Sequence, residues 1–176
     1  MSGDRFSKAH IIFETCGTID AVRARLAQLR LAISSSKLDE ANEVAEFLMW
    51  LIHTCFLIGS HCNDPQNKHP EYRNREFDKT FLEKLDAFQA ELESHVTLPK
   101  NFIATASNDL AASTDVLCTE VRRLERRIVA LNEHEPAFDP AHILPFVNRL
   151  SDTLFMLARS FEDGKHIPVD YGILDS

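Results

Sequence analysis

The chain is poor in backbone breakers, in paired cysteines and in positive charge. Only 5 glycines and 7 prolines occur in 176 residues, against 44% apolar residues. That balance excludes both a collagen-like repeat and a disordered chain. No Gly-rich phosphate loop, Gly-x-Ser-x-Gly elbow or kinase motif set is present, so an NTPase, a serine hydrolase and a kinase have no support. The 19 basic residues are outnumbered by 27 acidic ones, for a formal charge of −8. Such a surface has no overall positive field for a phosphate backbone, and no nucleic-acid partner is expected. Cys16, Cys55, Cys62 and Cys118 form no Cys-x-x-Cys pair and follow no secretory leader, which reads as reduced thiols in a cytoplasmic protein. His53, Cys55, His61 and Cys62 lie close in sequence without a zinc-ligand spacing, so no metal site is expected among them. The most apolar stretch, 47–58, is interrupted by His53 and Thr54 and falls short of the ~20 residues that cross a bilayer. No membrane partner is expected.

What is present is helical periodicity. The length suits one domain, taken as 1–176 with irregular ends at about 1–12 and 165–176. Ile19, Val22, Leu26, Leu29 and Ile33 predict a first helix, with Thr18 as its N-cap and Asp20 in its first turn. Val44, Phe47, Leu48, Leu51, Cys55 and Ile58 predict a central second helix with a wide apolar face. After a loop at 61–74, Phe77, Phe81, Leu85, Phe88 and Leu92 predict a third, ended by Pro99. Ser107 or Asn108 can cap a fourth along the seam Leu110, Leu117, Val121, Leu124, Ile128 and Leu131. Asp139 and Pro140 read as N-cap and first residue of a fifth, running to Gly164. No stretch alternates well enough to predict a strand. The expected fold is all-α, a five-helix antiparallel bundle.

Three blocks carry candidate chemistry. In Arg122-Arg123-Leu124-Glu125-Arg126-Arg127, Arg122 and Arg126 are one turn apart and can converge on one anion, with Glu125 spaced to hold Arg122. The plain alternative is a solvated, salt-bridged helix face. In Asn148-Arg149-Leu150-Ser151-Asp152, Asn148 and Asp152 share a face, and either bond a neighbouring helix or line a site. Gly17-Thr18-Ile19-Asp20 reads by itself as a helix start. Met49 and Trp50 read as packing, and His53 and Cys55 as core or interface residues.

In this order the blocks resemble the PduO-type ATP:corrinoid adenosyltransferases. That family's pattern runs GTVDELN, then FILPGG and LHxARxxxRRAERR, then YLNRLSDxLFxLAR. The last block matches at Asn148, Arg149, Leu150, Ser151, Asp152, Leu154, Phe155, Leu157, Ala158 and Arg159. Gly3, Arg5 and Lys8 match a GxRxxK element ahead of Gly17. The resemblance implies a homotrimer with an active site at each subunit interface, where ATP with magnesium binds. Reduced cobalamin, the substrate, attacks the ribose C5′ and expels triphosphate. It further implies that Arg122, Arg126, Lys8 and Asn148 face the nucleotide and that Glu125 orients the arginines. Asp20 belongs to the catalytic set, and Phe102 presses against the lower corrin face. Cytoplasmic location fits.

The departures bear on activity. The chain begins at GxRxxK, without the TGDxGxT stretch that wraps the ATP phosphates and magnesium. FILPGG reads Phe102-Ile103-Ala104-Thr105-Ala106-Ser107, so the Pro-Gly-Gly turn is gone. LHxAR reads Thr114-Asp115-Val116-Leu117-Cys118, with Cys118 in place of the arginine that pairs with the first-helix aspartate, leaving Asp20 without that partner. Ala21 and Arg23 replace a glutamate and an asparagine. Cys118 itself reads as a small buried residue rather than a reactive thiol. Three functions fit: an adenosyltransferase of impaired or altered activity; a non-catalytic trimeric corrinoid- or nucleotide-binding relative or partner protein; and a ligand-free helical protein.

Overall fold

A computed structural model describes residues 7–73 and 75–175. Five helices carry the fold: α1 (Ile11–Ser34), α2 (Ala41–Asn63), α3 (Lys79–His95), α4 (Asp109–His134) and α5 (Ile143–Ser160). Packing runs α2 on α1, α1 on α4, α4 on α5 and α5 on α3. Aromatic contacts close the circuit between α3 and α2. Phe47 and Phe88 stack with ring centres 3.6 Å apart, and Trp50 lies over Phe81 at 6.1 Å. Phe146 of α5 meets Phe77 and Trp50 edge-on, at 5.3 and 6.0 Å, an arrangement that the ring quadrupole favours.

The first helix starts earlier than its capping signature suggests. His10 caps it by accepting from the Ile12 amide, and Thr18 lies two turns inside, its hydroxyl donating to the Glu14 carbonyl at 2.8 Å. Gly17-Thr18-Ile19-Asp20 is therefore mid-helix, and Ile12 and Thr15 extend the buried stripe backwards at the same three- and four-residue steps. Asn108 caps α4 by accepting from the Ala111 amide at 2.9 Å, and Asp78 caps α3 by accepting from Thr80. At α5 the Asp139 carboxylate accepts from the Ala141 amide, but that is a separate turn, and the regular helix begins at Ile143 and ends at Ser160 rather than Gly164. The helix α2, with 23 residues, is long and apolar enough by composition to span a bilayer, yet half of its apolar window is buried inside the bundle.

A short ribbon was not expected from the sequence. Strand β1 (Ile103–Thr105) pairs antiparallel with β2 (Ile167–Pro168), which lies in the tail read as irregular. A three-residue and a two-residue strand are too short to show an alternation. Beyond them 171–175 forms a 3-10 turn.

Candidate functional site

The middle of α4 presents its arginines at helical spacing, and their partners separate them. Arg123 meets Glu120 at 3.8 Å, and Arg127 reaches across to Glu14 of α1 at 3.4 Å. Arg122 and Arg126 are exposed, and among the described residues neither has a carboxylate within ion-pair distance. Two arginines of the block are thus salt-bridged, and the two that a single anion would need are solvated without such a partner among the described residues. With their Cβ atoms about 6 Å apart, both guanidinium groups can close on one polyphosphate.

Glu125, half-buried beside them, does not hold Arg122 as the spacing suggested. Its carboxylate accepts from the Asn148 side-chain amide of α5 at 2.9 Å. This bond crosses from α4 to α5 and orients Asn148, since an amide nitrogen donating to Glu125 leaves its carbonyl oxygen outward. Cys118 lies one turn below Arg122, 4% exposed, and its thiol donates to the Ser151 carbonyl at 3.2 Å. Burial pushes this thiol above its usual range, against the lowering effect of Arg122, so a neutral, packed thiol occupies the position. Cys16 and Cys55, between α1 and α2, are likewise raised by burial, to about 11 and about 12. Among the described residues no group of three or more His, Cys, Asp or Glu side chains could hold a metal ion.

Asp20 is not left alone. Arg23, the residue standing where the resembling pattern has asparagine, pairs with it at 3.2 Å and lies over the Phe56 ring at 5.0 Å. The pair lines a cavity of about 440 Å³ between α1 and α2, with Cys16, Ile19 and Phe56. Among the described residues Asp20 forms no ion pair with the α4 arginines. Lys8 is exposed in the turn ahead of α1. Phe102 projects 82% exposed at the start of the ribbon, and its carbonyl accepts from the Val169 amide at 2.9 Å.

The most strongly built polar cluster is one that sequence reasoning did not single out. Arg159, 2% exposed, donates to Asp115 at 2.7 Å and lies 3.2 Å from Glu162. Glu162 also accepts from the Ser107 amide at 2.7 Å and meets His166 at 2.7 Å. Burial alone would raise the Glu162 carboxyl, but these hydrogen bonds and the Arg159 charge hold it below the ordinary glutamate range. The signal was the three- and four-residue spacing of Arg159, Glu162 and His166. That spacing alone does not mark a cluster, because its other members, Ser107 and Asp115, are 55 and 44 residues away from their partners.

A family model described as cobalamin adenosyltransferase matches residues 1–161. A corrinoid adenosyltransferase of Bacillus subtilis is 32% identical over 158 residues, which is 89% of this chain and 77% of that protein. The chain belongs to the cobalamin adenosyltransferase family. Another relative, the corrinoid adenosyltransferase PduO of Citrobacter freundii, is 26% identical across 94% of this chain, which spans about half (47%) of that protein. A variant PduO-type ATP:corrinoid adenosyltransferase from Lactobacillus reuteri, solved with cobalamin and ATP, shares the fold at a TM-score of 0.77 and 21% identity, over 94% of this chain and 86% of that one. A second variant of the same kind, solved with ATP, gives 0.79 at 20% identity over 96% and 92%. Of the departures from the family pattern, two have a local answer in this fold. Arg23 pairs with Asp20, and the segment 105–107, at the Pro-Gly-Gly positions, is tied to Glu162 through the Ser107 amide.

Proposed function

We propose that this protein transfers the 5′-deoxyadenosyl group of ATP to cob(I)alamin. One observation carries the reading: Arg122 and Arg126 carry no carboxylate partner among the described residues, while Arg123 and Arg127 do. In this account the two guanidinium groups bind the triphosphate, and Asn148, oriented by Glu125, and Lys8 complete the nucleotide contacts. The reduced cobalt attacks C5′, the cobalt–carbon bond forms as the C5′–O bond breaks, and triphosphate leaves with the electron pair. The arginines act by neutralising charge that grows on the leaving group, and Phe102 covers the lower corrin face so that no axial ligand competes. Magnesium enters with ATP. The site lies between copies of a homotrimer, for which the exposed Phe13, Leu31 and Phe56 of α1 and α2 supply apolar surface. Asp20 with Arg23 acts at the same interface. A cytoplasmic location fits the free cysteines.

One observation favours a second reading, a non-catalytic corrinoid- or nucleotide-binding relative. The neutral Cys118 thiol stands where the family pattern has a cation, so the leaving triphosphate meets one charge fewer. Two measurements on the same sample separate the readings. Calorimetric titration with ATP and magnesium, and separately with cobalamin, gives heat with at least one ligand under both. Light-sensitive adenosylcobalamin formed under reducing conditions establishes the first, and binding without product establishes the second. Neither heat nor product would remove both.

A further inference from the structure

We propose that the segment from Glu162 to Val169 is a brace that sets the position of Phe102, with Glu162 as its positioning residue. The inference rests on the corrinoid reading above. The Phe102 ring is 82% exposed, so its own packing does not hold it and its place is set through the backbone. At its own carbonyl that backbone accepts from the Val169 amide at 2.9 Å, and Ile103 pairs with Pro168. Five residues on, the Ser107 amide donates to Glu162 at 2.7 Å, and the Asn108 side chain donates to the Phe161 carbonyl at 2.9 Å. A pairing of two such short strands does not stand alone in water, so the order of 102–107 depends on these ties.

Glu162 is itself immobile. Its side chain is fully buried and its oxygens meet the Ser107 amide, the His166 ring and the Arg159 guanidinium, while Arg159 is fixed in turn by Asp115 at 2.7 Å. His166 carries the tie further, its second ring nitrogen 3.3 Å from the Thr97 carbonyl ahead of β1. A buried carboxylate with a hydrogen bond on each oxygen and a guanidinium beside it is a stiff anchor, because bonds to an ionised acceptor are stronger than neutral ones. The altered turn at 104–107 lies within the stretch that the family model matches, 1–161, whereas the brace lies beyond it.

The test uses the full chain, unsubstituted and as Glu162→Gln and Val169→Pro. The proline removes the amide that donates to Phe102 and fixes φ at a position beside the ribbon, outside the five helices, so it serves if Glu162→Gln does not fold. Three quantities are read: hydrogen exchange in 102–107, ATP affinity, and the fraction of bound cob(II)alamin that is four-coordinate by electron paramagnetic resonance. In both variants exchange should rise about tenfold and the four-coordinate fraction fall at least about threefold, with ATP affinity held within about twofold. Unchanged exchange, or raised exchange with an unchanged four-coordinate fraction, overturns the brace. If the unsubstituted protein gives no corrinoid signal, the corrinoid reading fails and takes the brace's role with it, a result recognisable because it appears before any substitution.

Discussion

Arg123 pairs with half-buried Glu120 and Arg127 with exposed Glu14, and pairs of this kind at a surface contribute about 1 kcal/mol or less. Arg122 and Arg126 have none among the described residues, so truncating either should change stability by no more than ~0.5 kcal/mol. Function should respond quite differently. Arg126→Ala and Arg122→Ala are each expected to lower the transfer rate by about 10²-fold, the size of effect seen when one donor to a developing anion is removed. Melting curves beside product assays check the contrast; equal losses of stability and rate would contradict it. Cys118 permits a sharper test. It is 4% exposed with its thiol on the Ser151 carbonyl, so Cys118→Arg forces a long cation into packed, desolvated space. The family-like arginine should therefore cost roughly 3 kcal/mol in chemical denaturation and restore no activity. A stable, faster Cys118→Arg protein would show that the thiol is merely a lost arginine.

At the scale of elements, the helices were legible because their buried positions recur at three and four residues. Leu117, Val121, Leu124, Ile128 and Leu131 are buried along α4 as its pattern predicts, and Asn108 caps it. The start of α1 was misread because Thr18 and Asp20 form a capping signature that the fold does not use. Buried threonine hydroxyls at 15 and 18 bond back to the preceding turn instead, which a sequence pattern cannot distinguish from a cap. The ribbon and the Glu162 cluster were not legible, because they depend on pairs such as Ser107 with Glu162 and Asp115 with Arg159, separated by 55 and 44 residues. The Glu162 carboxyl, held low in the folded chain, contributes stability that is fully present above the unfolded value of about 4.3 and is lost as pH falls through its lower folded value. Glu162→Gln should flatten that acid-side loss in denaturation curves taken from pH 6 to pH 3. An unchanged pH profile would contradict the buried ion cluster. On the opposite side, Phe146 is 1% exposed between Trp50 and Phe77, and Phe146→Ala should cost about 3–5 kcal/mol with a shift in Trp50 emission.

For the molecule as a whole, five helices and one family pattern account for the scaffold, and the proposed chemistry is assigned to the α4 arginine pair that has no carboxylate partner among the described residues. The candidate residues do not all meet within one subunit, Asp20 lying with Arg23 between α1 and α2 while Arg122 and Arg126 lie on α4. Association of copies is what can join them, and sedimentation should give a particle of about three times the 20.0 kDa chain. A monomer at working concentration would leave the site incomplete. The most direct measurement is an experimental structure of the assembled protein with ATP and magnesium. The account predicts triphosphate density bridged by Arg122 and Arg126 of one subunit, at an interface with a second copy. Nucleotide bound elsewhere, or those two side chains turned to open solvent in an assembly saturated with ATP, would contradict it.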